Sequence, residues 1–106
     1  MDGFRWDYSG YSDIFHIHKK DKITSGSVEV GDFSLDFGKN NEVVGVEIEH
    51  ASEFFINLDI SKESLSDIKD AGIIIDTRNP NCSLIFLNLK FPNASRKIPL
   101  PMPIVT

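Results

Sequence analysis

The stretch Ser27-Val28-Glu29-Val30-Gly31-Asp32-Phe33-Ser34-Leu35-Asp36-Phe37-Gly38-Lys39-Asn40-Asn41-Glu42-Val43-Val44-Gly45-Val46-Glu47-Ile48-Glu49 decides the fold. Apolar and polar residues alternate through it, the period of a strand with one buried face. Gly31-Asp32 reads as a two-residue hairpin loop, which sets Val30 opposite Phe33 and Val28 opposite Leu35. Asn40-Asn41 reads as a second tight turn, because asparagine tolerates positive φ. It sets Lys39 opposite Glu42, Phe37 opposite Val44, Leu35 opposite Val46 and Phe33 opposite Ile48. A slip of one residue would pair apolar with polar positions throughout. Both loops therefore predict the same dry face: Val28, Val30, Phe33, Leu35, Phe37, Val44, Val46 and Ile48. The wet face carries Glu29, Ser34, Asp36, Glu47 and Glu49, with Glu29 and Glu47 flanking Ser34. Gly45 inside the last strand marks a bulge or a close approach.

Upstream, Asp13-Ile14-Phe15-His16-Ile17-His18-Lys19 alternates in the same way and supplies a first strand. Placed in chain order, these segments form a four-stranded antiparallel meander. Downstream, Ala51–Phe55 reads as a helical turn or a bend. Ser61 is a candidate N-cap for a short helix over residues 62–70, with Leu65 and Ile68 inward and Gly72 as its stop. Residues 72–78 and 82–91 form a C-terminal β-hairpin around Asn79-Pro80-Asn81. Pro99, Pro101 and Pro103 withhold ladder donors, so residues 93–106 read as an extended Pro-rich tail, packed on its own domain or docked on a partner. The expected fold is α+β, mostly β, with residues 1–92 as a single domain.

Composition narrows the function. The chain has 106 residues and a net charge of −5, with 11 acidic and 5 basic side chains in residues 1–56 against 5 and 6 in residues 57–106. An acidic first half repels a phosphate backbone, which argues against nucleic-acid binding. Cys82 is the one cysteine, so no internal disulfide forms and a reducing, cytoplasmic setting is expected. No apolar run approaches the roughly 20 residues of a membrane helix.

The segments Asp13-Ile14-Phe15-His16-Ile17, Val28-Glu29-Val30, Leu35-Asp36-Phe37-Gly38 and Glu42-Val43-Val44-Gly45-Val46-Glu47-Ile48-Glu49-His50-Ala51-Ser52 resemble the DUF2283 family of small prokaryotic proteins. Trp6-Asp7-Tyr8 resembles the aromatic and aspartate that precede the first strand there. The likeness spans about residues 6–55. It implies strands and no mechanism, since the family has no established activity.

Chemistry-bearing residues are few. His16 and His18 share one face of a strand, and Glu47, Glu49 and His50 are the obvious further donors for a ligand or metal. In a meander the first and fourth strands stand roughly 14 Å apart, which separates them. The reading is therefore of no catalytic residues, no metal centre and no cofactor. The expected function is a non-enzymatic protein-interaction or regulatory module. Its partner would be another protein or a second copy, met through Leu84, Phe86, Leu100 and Met102. The alternative is a small-molecule or metal-binding protein using His16, His18, Glu47 and Glu49.

Overall fold

A computed structural model describes residues 3–102 and 104–105; Pro103 of the proline-rich segment lies outside them. The chain runs β1 (Phe4–Ser9), β2 (Ile14–Lys19), β3 (Gly26–Val30), β4 (Phe33–Phe37), β5 (Val43–Ile48), α1 (Ala51–Ile56), α2 (Lys62–Leu65), β6 (Asp70–Asp76), β7 (Cys82–Lys90), β8 (Ser95–Pro99) and β9 (Ile104–Val105). The mostly β, antiparallel α+β class holds. The four-stranded meander does not. The first sheet has five strands in the order β1-β2-β5-β4-β3, so β2 pairs with β5 and β1 is added outside it. Within this sheet only β3–β4–β5 is a meander. Residues 20–25 carry the chain from β2 across to the far edge, and the slot beside β2 goes to β5, whose Val46 and Ile48 match Ile17 and Phe15.

The Gly31-Asp32 hairpin keeps its expected register, Val30 opposite Phe33 and Val28 opposite Leu35. Gly31 takes φ 58° there, a conformation that costs glycine nothing. The next hairpin departs from expectation. Its turn spans Gly38–Asn41, closed by Asn41 N–H on the Gly38 carbonyl at 3.1 Å, and Gly38 rather than Lys39 faces Glu42. The ladder therefore runs one residue short near the turn and recovers at a bulge. Phe37 faces Val43, whereas Asp36 faces Gly45, leaving Val44 unpaired. Val43 joins the core cluster in place of Val44, which is buried outside it.

Gly45 is a close-approach glycine as well as a neighbour of the bulge. A Cβ there would stand 2.8 Å from Asp36 Oδ2, 2.8 Å from His18 Cδ2 and 3.2 Å from the Ile17 carbonyl. Gly45→Ala is expected to cost about 1–3 kcal/mol, the usual range for overpacking. Gly26→Ala, in open space, serves as the control. Thermal unfolding of the two variants, with only Gly45→Ala markedly lower, checks it.

α1 docks its Ala51 and Phe55 on the first sheet. Rings run in an edge-to-face chain from Phe15 to Phe55 (5.7 Å), Phe55 to Phe54 (5.1 Å) and Phe54 to Phe33 (5.2 Å). Ser61 caps α2 as expected, its Oγ accepting from Ser64 N–H at 3.2 Å. The helix stops at Leu65 rather than residue 70. β pairing takes the chain first: Lys69 N–H donates to the Lys90 carbonyl at 2.7 Å, and Gly72 lies inside β6 opposite Asn88.

The second sheet holds the expected β6–β7 hairpin, extended by β8 and the short β9, both paired with β7. The segment expected as a tail is thus partly a strand. Pro99 ends β8 at a sheet edge, where a missing N–H costs no ladder bond. Ile85, Leu87 and Leu89 of β7 join Ile98, Leu100 and Met102 in the core shared with the first sheet. Val28 and Val30 depart from the expected dry face: they lie on its side of the sheet but beyond its cover, 51% and 53% exposed.

Candidate functional site

The strand order brings together what a meander would have kept apart. His16 faces Asp7 on one side and Glu47 on the other; Glu47 faces Ser34, and Ser34 faces Glu29. A polar row therefore crosses the whole wet face. A second row runs Arg5, His18, Gly45, Asp36 and Ser27. Arg5, Asp7, His16, His18, Lys19 and Lys22 line an open cleft of about 320 Å³ at one end of these rows. His18 is tied down there: Nδ1–H donates to the Lys19 carbonyl at 2.7 Å, leaving Nε2 to accept from the Thr24 hydroxyl at 2.9 Å. Asp36 accepts from the Ser27 hydroxyl at 2.7 Å.

Glu49 is not part of this group. It pairs through the next turn with Asp32 and His50, and these three offer ligand atoms within 4.8 Å of one another. All three are exposed. Asp32 and Glu49 close the β4–β5 ladder, where Glu49 N–H donates to the Asp32 carbonyl at 2.8 Å. His50, in the left-handed conformation at φ 52°, donates Nδ1–H to Asp32 at 3.1 Å. That hydrogen bond, and then the Asp32 charge, raise the His50 pKa. The stabilisation is present below the ordinary histidine value and lost as pH rises through the raised one. At 61% exposure it is small.

The most tightly bonded polar centre was not legible as a site. Asp13, at φ 57°, accepts from Tyr8 O–H at 2.6 Å, Ser52 N–H at 2.9 Å and Ser52 O–H at 2.7 Å. Its carbonyl accepts from Ala51 N–H at 2.9 Å. His50 gives α1 no side-chain cap, so Asp13 caps the helix from 39 positions away. Burial alone would raise the Asp13 pKa; the hydrogen bonds from Tyr8 and Ser52 and the charge of Lys62 outweigh it and lower it. Burial and the bond to Asp13 push Tyr8 up to about 12. A carboxylate saturated by three donors is a fastener between β1, β2 and α1.

The expected partner surface does not assemble. Leu100 and Met102 are buried in the core. Leu84 is 43% exposed, and Phe86 is half-buried with Lys97 Nζ 4.5 Å above its ring. Cys82 is a half-buried free thiol. A cleft of about 360 Å³ opens between the α1–α2 connection and the β7–β8 turn, where Arg96 donates to the Leu58 carbonyl at 2.8 Å.

Together these features define a two-sheet α+β domain whose first sheet and α1 close as one fastened unit. Residues 5–52 match the model of the family described as protein of unknown function (DUF2283), so the likeness read from the sequence is shown over that span. The span ends at Ser52, the residue that fastens α1 to Asp13, and the second sheet lies wholly beyond it. No curated protein and no solved structure matches the chain. Among the described residues, no helix is long and apolar enough to cross a membrane.

Proposed function

We propose that the chain is a non-enzymatic protein-interaction module that binds by adding a partner strand to the outer edge of β3. The observation that carries this reading is the state of that edge. All five residues of β3 are exposed, and Val28 and Val30 extend the core face into water. Sheet edges are ordinarily blunted by lysine, proline or a bulge. The β8 edge has Lys97 and Pro99. β3, Gly-Ser-Val-Glu-Val, carries one charge, Glu29, and no lysine or proline. An open edge beside an apolar stripe is the template for strand addition, with main-chain bonds giving affinity and side-chain pockets giving selectivity.

Photo-cross-linking in cells of the source tests it. With benzoylphenylalanine in place of Val28, a protein adduct is expected; in place of Leu84, none. Adducts confined to Leu84 or to a probe at His16 would overturn the reading.

A second reading, ligand or metal binding at His16 and His18, is favoured by the cleft and by the Asp7–His16–Glu47 row. Imidazole NMR signals during zinc titration decide it. Parallel movement of His16 and His18 supports this reading, and movement of His50 alone ends it.

A further inference from the structure

We infer that the cleft between the α1–α2 connection and the β7–β8 turn binds a small zwitterion, a free α-amino acid with an apolar side chain. This site is separate from the β3 edge, and all of its lining lies beyond the family match. Arg96 sits there in a place that is costly for an arginine. In β8 it shares a face with Ile98, two residues on, which is buried in the core. Across the ladder it faces Leu89, also buried. Arg96 therefore rises from the inner face of the second sheet, at its rim, and is half-buried. It donates to the Leu58 carbonyl at 2.8 Å, a neutral acceptor. Among the described residues no carboxylate pairs with it. A partly desolvated charge without a counter-ion favours an arriving anion, and the planar guanidinium fork matches a carboxylate.

The helical side of the cleft supplies the other sign. Asp59 follows Leu58 directly, at φ 61°, and lines the same cleft. Among the described residues its carboxylate has no cation and no hydrogen bond. Asp67 lines the cleft as well, but Lys69 Nζ stands 3.1 Å from it and offsets its charge. One unpaired cation and one unpaired anion remain. The bond from Arg96 to Leu58 brings the guanidinium to the residue next to Asp59, yet the two side chains do not pair. Each keeps a free group for one end of a ligand. An α-amino acid carries its carboxylate and its ammonium on one carbon, which suits opposite charges set this near. Ile60, buried, and Phe91, half-buried against the core, complete an apolar part of the lining for its side chain. At about 360 Å³ the cleft is at the small end of ligand pockets, roughly 300–1,000 Å³.

Nitrogen-15 NMR on the whole protein tests it, with L-leucine, leucinamide and 4-methylpentanoate as probes. Leucine has both charges, leucinamide lacks the carboxylate, and 4-methylpentanoate lacks the ammonium. Leucine is expected to move the Arg96 Nε–H signal and the amides of residues 58–60 and 93–94 in one saturable step, in the millimolar range. Each single-ended probe is expected to bind about ten-fold more weakly, or less tightly still, having lost one charge-assisted contact. Asp59→Asn keeps the fold, because asparagine tolerates the left-handed conformation. It is expected to weaken leucine about ten-fold and to leave 4-methylpentanoate unchanged. Lys97→Gln, next along β8 and on its other face, is expected to leave leucine binding as in wild type. No leucine-dependent movement up to about 50 mM, well past the millimolar range, would overturn the site. So would leucinamide binding as tightly as leucine, or Asp59→Asn weakening 4-methylpentanoate as much as leucine.

Discussion

Phe15→Ala is expected to lower the unfolding free energy by about 3–5 kcal/mol, the usual cost of removing a fully buried ring. Phe15 is 0% exposed and lies opposite both Tyr8 and Ile48 in the five-stranded sheet. Its ring also starts the edge-to-face chain through Phe55 and Phe54 to Phe33, so its loss removes one of the contacts that dock α1 on the sheet. For a domain of this size the change corresponds to a fall in melting temperature of roughly 15–25 °C. Phe15→Leu keeps most of the volume and is expected to cost less than about 2 kcal/mol. Thermal unfolding of the pair measures the difference. Equal, small losses would show that the space collapses around the missing ring and that the Asp13 bonds suffice to hold α1.

Asp13→Asn is expected to cost about 2–3 kcal/mol near neutral pH, because it replaces a charge-assisted acceptor of three donors by an amide. The effect depends on pH with a definite sign. The folded-state pKa of Asp13 is lowered, so its stabilisation is fully present above the ordinary aspartate value and is lost as pH falls through the lowered one. Wild type and Asp13→Asn should therefore differ most near neutrality and converge in acid. Urea unfolding at several pH values reads this directly, and a gap that stays constant down to pH 2 would refute it. Tyr8→Phe removes one donor to the same carboxylate. Its cost should shrink when combined with Asp13→Asn, the signature of a shared network.

Local pattern carried much of the first sheet. The period-two runs at Phe15–Ile17, Val28–Val30, Phe33–Phe37 and Val43–Ile48 are all strands, and the Gly31-Asp32 loop fixed its own register, because a two-residue turn leaves the backbone few alternatives. Ser61 was legible as a cap because its chemistry is local. β1 was not legible: Phe4, Trp6 and Tyr8 alternate, but so short a run has no partner until β2 is in place. Strand order was not legible either, and it decided the candidate site. Chain proximity favoured β2 beside β3; burial of Phe15 and Ile17 against Ile48 and Val46 set β2 beside β5, and His16 therefore met Glu47. The Asp13–Ser52 fastener spans 39 positions, and nothing in the sequence marks its two ends as partners.

By itself, then, the sequence determined that β2 to β7 are strands and how β3 and β4 align, since turns and side-chain alternation act within a few residues of chain. Tertiary structure alone decided where β1, β2 and β8 pair, where α2 ends, and which apolar residues find cover. Leu100 and Met102 gained it and Val28 and Val30 did not, because burial depends on what arrives from distant parts of the chain, and among the described residues no element arrives over β3.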